Sequence, residues 1–542
     1  MYERREGRFL RGGNGEGMFA MKRSSGILLP VSALPSPYGI GTLGKAAYAF
    51  VDFLAASGQS WWQMLPVGPT GYGDSPYQSF STYAGNPYFV DLELLAEDGL
   101  LDSAELKAAD WGERPDRVDY GKIYEGRFAM LRKAAEIGLV RDKLQVAAFL
   151  EQNRGWLPDY ALFMALKRHF GMKGWNEWPK AIRLREPSAL EHYRTALADD
   201  WNLFVYIQFL FFRQWEKLRS YAHEQGVGII GDLPIYVAMD SADVWANPES
   251  FQLDEENVPT AVSGVPPDYF SADGQLWGNP LYRWDAMKKD GFGWWIRRVE
   301  GAAKLFDVLR IDHFRGFESY WAVPYGAKTA REGRWVKGPG AELVKVLTQW
   351  FYQTEFIAED LGILTPEVHQ LLKESGLPGM KVLEFAFDAS ESSDYMPHTY
   401  GTNCVCYVGT HDNAPVMAWR DEAAPEDIAV AKRYFGLNED EGFAWGMLRG
   451  GMSSVADLFV AQMQDYLELG AESRMNTPGK AADNWTWRLR GGELTPALAE
   501  RIAAMTRLYG RADPDRLKKA PEKQAAAGGA VAKTCTAETG EK

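Results

Sequence analysis

Three acids, Asp312, Glu359 and Asp412, stand where short apolar runs stop, in the segments 310–317 (RIDHFRGF), 358–362 (AEDLG) and 409–413 (GTHDN). The runs are 305–311, 355–358 and 404–409. Carboxyl groups delivered by successive strand ends suit the cleavage of a glycosidic bond. One attacks the anomeric carbon and another protonates the leaving oxygen.

Residues two apart on a strand share a face, so Arg310 and Asp312 point the same way. A guanidinium beside a carboxylate lowers its pKa, and an ionised, oriented Asp312 is a nucleophile for an anomeric carbon. Glu359 needs the opposite property: a general acid holds its proton near neutral pH, through burial and the neighbouring anions Asp312 and Asp412. Asp412 lies beside His411, and an imidazole with a carboxylate can hydrogen-bond adjacent sugar hydroxyls. Asp232, in 231–234 (GDLP), is a further candidate at the end of a run. Singly, each motif is as well explained by a strand-end ion pair or a helix cap. Their coincidence at strand ends is what carries chemistry, because barrel enzymes place it there. No Cys/His or His-x-x-x-His spacing suggests a metal, and the reaction needs no cofactor.

The elements that would position these acids recur along the chain. Candidate strands fall at 26–31, 62–67, 228–233, 305–311, 355–358, 381–387, 404–409 and around 473–476. Amphipathic stretches such as 46–57, 203–225, 341–352 and 366–375 lie between them. Eight strands alternating with helices predict an α/β fold, a (β/α)₈ TIM barrel, with the acids after strands four, five and seven. The interval after strand two holds a charged helical insertion at about 93–200, and a second insertion spans about 240–300. The second contains a Pro- and aromatic-rich loop at 264–278, read as a structureless functional connection. Residues 1–20 read as a dispensable extension, 21–510 as the catalytic barrel and 511–542 as a disordered tail. Too little chain follows the last expected strand for a C-terminal β-sandwich of roughly 100 residues.

Composition excludes several classes. Hydrophobic residues make up 46% and charged residues 24% of the 542, and no run approaches the ~20 apolar residues of a membrane span. A net charge of −14 opposes nucleic acid or an anionic membrane as partner. Three cysteines, and no apolar h-region behind the N-terminal arginines, point to the cytoplasm.

Together with 75–79 (SPYQS), 474–479 (RMNTPG) and 484–488 (NWTWR), these motifs strongly resemble the 4-α-glucanotransferases, the amylomaltase and disproportionating-enzyme family, from about residue 22 to about 509. The resemblance implies a barrel with helical and loop insertions, acting on maltodextrins and other α-1,4-glucans as a monomer or small homo-oligomer. Carried over by position, it implies Asp312 as nucleophile, Glu359 as acid/base and Asp412 as transition-state stabiliser. It also implies sugar contacts at Arg310, His313 and His411, and glucan binding at Tyr77, Asp232, Tyr269, Phe270 and Trp277. The chain departs from the family after Asn413, with Ala414-Pro415 where Asp-Thr is usual. Hydrolysis by an α-amylase or α-glucosidase is the alternative, and a catalytically silent glucan binder the reading from another class.

Overall fold

Continuous apolar runs, each stopped by Pro, Gly or a polar cluster, are what a parallel sheet covered on both faces demands. The structure, a computed structural model, describes residues 22–513 except 72, 268–270, 363, 392 and 481. Eight such runs form one parallel sheet: β1 (Ser24–Leu28), β2 (Trp61–Gln63), β3 (Gly228–Pro234), β4 (Val308–Asp312), β5 (Glu355–Ala358), β6 (Gly379–Val382), β7 (Cys404–Tyr407) and β8 (Leu458–Gln462). Their order is β6-β7-β8-β1-β2-β3-β4-β5. The ring is joined between β5 and β6 by the Ala358 amide donating to the Pro378 carbonyl at 2.9 Å. Asp360 reinforces that seam by accepting the Met380 amide at 2.6 Å. A (β/α)₈ barrel results, as the alternation of strands and helices in the sequence predicts.

The eighth strand lies elsewhere than expected. Leu458–Gln462 is fully buried and pairs with β7 and β1, whereas 473–476 follows it as a 3₁₀ turn and loop. The apolar Leu-Phe-Val-Ala run can be enclosed on both faces; Arg474 and Asn476 cannot be, and they face the barrel mouth instead.

The connection from β2 to β3 is helical and ends in the long helix Ala198–Glu224, whose Leu203, Ile207, Leu210, Phe211 and Leu218 form a buried stripe at helical spacing. The 264–278 stretch is not structureless. Ala261–Val265 and Gln275–Pro280 are strands of a four-stranded antiparallel sheet completed by Ser319–Pro324 and Arg334–Lys337. All four strands belong to the connections leaving β3 and β4, so the sheet roofs the carboxyl ends of those strands.

Residues 1–20 and 514–542 lie outside the described residues. The expected start of the tail at 511 is too early: Arg511 is fully buried, donating to the carbonyls of Ser24 and Met452 at 2.8 Å and of Ala456 at 3.0 Å. A guanidinium that satisfies several carbonyl groups beneath β1 and β8 belongs to the fold. Among the described residues no helix is long and apolar enough to cross a membrane.

Candidate active site

Sheet register builds the centre of the site. Asp232 on β3 lies directly beside Arg310 on β4, and Pro234 beside Asp312. Arg310 extends one guanidinium nitrogen to both oxygens of Asp232, at 2.7 and 2.6 Å, and to Asp312 Oδ1 at 3.1 Å. Its Nε meets Met380 Sδ on β6 at 3.3 Å. Tyr77, from the loop after β2, donates its hydroxyl hydrogen to Asp232 Oδ2 at 2.6 Å. The same hydroxyl lies 2.8 Å from His411 Nε2, and the two rings stack at 5.2 Å. With the tyrosine proton committed to Asp232, His411 carries its hydrogen on Nε2 and donates it to the tyrosine oxygen. Burial lowers the His411 pKa, with Asp412 opposing, so the ring is neutral. Trp485 packs against both rings, a role not read from its motif.

Among the described residues the hydrogen bonds of Glu359 all run to backbone. Its amide donates to the Ile311 carbonyl at 3.0 Å, and its carboxyl accepts the His313 amide at 2.6 Å and the Leu361 amide at 3.1 Å. The His313 bond requires the chain to turn sharply after Asp312, and His313 adopts a left-handed φ of 54°. That conformation costs a non-glycine residue about 1 kcal/mol or more. It brings the acid of one strand end against the residue following the acid of another. Burial raises the Glu359 carboxyl to about 7, against Arg310 and the two amides, with Asp360 the neighbouring anion that adds to it.

Asp312 departs from expectation. Burial pushes its carboxyl well above the ordinary range despite Arg310, and Asp232, Glu359 and Asp412 add to the shift. One guanidinium is divided between two acids, and Asp232 has the closer contacts. Arrival of positive charge at a bound sugar would favour the ionised form.

Asp412 lies beyond the end of β7, on a loop, with 43% of its side chain exposed. Asn476 donates to its Oδ1 at 2.6 Å, Arg474 to its carbonyl at 3.1 Å, and His411 Nε2 stands 3.4 Å from its Oδ2. Arg474 and Asn476 reach the loop from a segment that the sequence predicts as a strand, a reading that gives neither a place at the site. Trp277, on the roofing sheet, meets the His313 ring edge-to-face at 4.8 Å. Burial pushes His313 down to about 3, so it too is neutral. Tyr269 and Phe270 lie outside the described residues. The structure therefore joins Tyr77, Asp232, Arg310, Asp312, His411 and Asp412 in one hydrogen-bonded and ion-paired network. Glu359, His313 and Trp277 connect to it through the turn after β4. Among the described residues no group of three or more His, Cys, Asp or Glu side chains is arranged to hold a metal.

A (β/α)₈ barrel with acids at the carboxyl ends of β4, β5 and β7, two of them with pKa values raised by burial, defines a class: barrel enzymes that break glycosidic bonds with carboxyl groups. The sequence model of glycoside hydrolase family 77, 4-alpha-glucanotransferase, matches residues 29–495. The 4-alpha-glucanotransferase of Clostridium butyricum is 48% identical over 485 residues, covering 89% of this chain and all of the relative. That of Thermus thermophilus is 49% identical over 496 residues, covering 90% and 98%. The amylomaltase of Streptococcus agalactiae, solved in complex with acarbose, superposes with a TM-score of 0.89 at 42% identity, covering 91% of this chain and all of the other. The chain belongs to the 4-alpha-glucanotransferase family.

Proposed function

We propose that the enzyme transfers a segment of a 1,4-α-glucan from a donor to the 4-hydroxyl of glucose or another glucan by a retaining double displacement. Asp312 attacks the anomeric carbon while Glu359 gives its proton to the departing glycosidic oxygen. The bond to the leaving sugar breaks as the Asp312 ester forms. The acceptor's 4-hydroxyl then attacks the same carbon, passes its proton to Glu359 and releases Asp312. Asp412, Arg310, Asp232 and the neutral imidazoles of His313 and His411 hydrogen-bond the sugar around the cleaved bond. Tyr77 and Trp277 line the glucan path, and the family resemblance assigns glucan binding to Tyr269 and Phe270 as well.

The observation that carries this reading is the way Glu359 is joined to the turn that follows Asp312. Its carboxyl is buried and protonated up to about 7, yet it is bonded through His313 to the residue after Asp312. Acid and nucleophile are thereby coupled through one turn of backbone, which serves reaction through a single pose. Neutral, aromatic-rich substrate contacts suit a chain of net charge −14. Buried free thiols at Cys404 and Cys406 suit a reducing, cytoplasmic setting.

Incubation with maltotriose tests the reading. Transfer converts two maltotrioses into glucose and maltopentaose, with longer chains following and the number of reducing ends constant. Products shorter than the substrate alone, with reducing ends rising, would make the enzyme a hydrolase.

A further inference from the structure

Behind the loop that carries Asp412 lie two acids for which this mechanism has no use. Glu384 sits in the turn Leu383–Phe385 after β6, and Asp465 in the short helix Met463–Tyr466 after β8. Because β6, β7 and β8 are neighbours in the barrel, these acids flank the loop leaving β7 on both sides. Both are buried, and Glu384 Oε1 and Asp465 Oδ2 have no hydrogen-bond partner among the described residues. An ionised carboxylate there would leave a charged oxygen buried without a hydrogen bond, whereas a neutral acid is better tolerated.

Their contacts converge on the loop. Asn413 accepts the Thr410 amide at 3.0 Å and the Thr410 hydroxyl at 2.9 Å with its Oδ1. Its amide nitrogen is thus the group turned toward the Glu384 carboxyl, and both side chains border Gly409. The Thr410 hydroxyl oxygen in turn accepts the Asp412 amide at 3.3 Å. A Cβ at Gly409 would stand 2.6 Å from Glu384 Oε1 and 3.1 Å from Asn413 Cβ, so the glycine leaves room for both side chains. At the other end of the loop Asp465 Oδ1 accepts the Val416 amide at 2.8 Å. It thereby caps the helix Val416–Glu422, for which Ala414 and Pro415 provide no capping side chain. The charged groups facing Glu384 are Asp465, Arg474 and Glu422. Burial and Asp465 push the Glu384 carboxyl well above its ordinary range, and burial raises Asp465 to about 7.

We propose that Glu384 and Asp465 are positioning residues for Asp412, gripping its loop at the start and at the end, and that Glu384 works as a neutral acid, bonded to Asn413 as an amide would be. The proposal rests on Asp412 acting at the cleaved bond. The experiment uses the full-length enzyme on maltotriose and counts every glycosidic bond broken, whether water or sugar accepts. A failure of the transfer reading therefore appears in the wild-type products, and a failure of the positioning reading appears only in the variants.

Glu384→Gln is expected to keep kcat within about threefold, whereas Glu384→Leu loses about 10–100-fold in kcat with KM little changed, the effect of one lost hydrogen bond at a reacting centre. In an Asp412→Asn background Glu384→Leu adds less than about threefold, because the group it positions has already gone. The infrared difference between wild type and Glu384→Gln at neutral pH contains the carbonyl stretch of a protonated carboxylic acid. Full kcat in a folded Glu384→Leu overturns the proposal, as does an undiminished loss in the Asp412→Asn background. Loss in Glu384→Gln equal to that in Glu384→Leu, or absence of the infrared band, overturns the neutral acid. Should Glu384→Leu not fold, Asn413→Ala breaks the same path and is held to the same kcat and background outcomes. Asp465→Asn, which keeps the acceptor for Val416, is expected to match wild type within about threefold, and Asp465→Leu to lose about 10-fold in kcat. Wild-type kcat in Asp465→Leu removes that residue from the proposal.

Discussion

The β3–β4 wall and the loop after β7 hold their carboxyl groups by opposite means. On the wall, Asp232, Arg310 and Asp312 occupy neighbouring register positions, so the sheet itself dictates which charge meets which. Beyond β7 no strand reaches Asp412; a hydroxyl, two amide side chains and Arg474 hold the loop, and Asn476 comes from 64 residues further on. The wall is over-determined, with fold and charge pattern sharing the same contacts. The loop is adjustable, because its contacts can be removed without opening the barrel. Substitutions on the wall should therefore disturb stability, chemistry or both, and those at the loop chemistry alone.

Asp312→Asn is the severest test of the wall. If Asp312 is the nucleophile we propose, kcat on maltotriose falls about 10⁴-fold or more, the scale on which covalent enzymes lose their attacking group. The thermal midpoint should not fall, since burial already disfavours the ionised carboxyl and an amide of the same shape removes that cost. A variant retaining a hundredth of wild-type kcat would remove Asp312 from the nucleophile's role.

Glu359→Gln sharpens the comparison from between the two regions, since Glu359 is tied to the wall only through backbone. A loss of about 10²–10⁴-fold in kcat is expected. The pH profile carries the sign. As the proposed acid, Glu359 must be protonated to release the leaving oxygen, and its raised pKa means that the proton is lost only as pH rises through about 7. Wild-type kcat/KM should therefore fall above that pH, and the limb should vanish in the variant. A limb that persists unchanged would assign it to another group.

The same contrast explains what the sequence could reveal. Arg310, Asp312 and Glu359 were legible because strand alternation and strand ends are local properties of a few residues. Asp412 was legible by its place after an apolar run, but not the contacts that hold it. Asn476 and Arg474 were misread as strand eight, because a short polar stretch between helices carries no local mark of facing a barrel mouth. The buried Leu458–Gln462, hidden behind a helix and a brief turn, was passed over in its favour. The effect of Arg310 on Asp312 was misjudged for a related reason: Asp232, 78 residues earlier, competes for the same guanidinium. Burial, which sets both pKa directions, is a property of the assembled barrel.

Arg310→Leu breaks the wall through its shared cation. Two acids, Asp232 and Asp312, lose their counter-charge within a largely enclosed site. Leaving buried charge uncompensated costs about 3–5 kcal/mol, which should appear as a lower midpoint in urea at an unchanged slope. A stability loss below about 1 kcal/mol would mean that the register-set ion pairs contribute little to the fold, and the distinction between wall and loop would collapse.

Asn476→Ala asks the smallest effect of the loop. The side chain donates to Asp412 Oδ1 at 2.6 Å, and a hydrogen bond to a charged group contributes about 1.5–3 kcal/mol. If that contribution is realised where charge develops on the sugar, kcat falls about 10–100-fold, KM changes little and stability stays within about 0.5 kcal/mol. Asn476→Asp should be worse than Asn476→Ala, because it sets a second carboxylate against Asp412 in place of a donor. Equal losses in kcat and stability would show that the bond fastens the loop to the barrel as firmly as Arg310 joins β3 to β4. The two regions would then differ in the length of chain between partners and not in how they divide folding from chemistry.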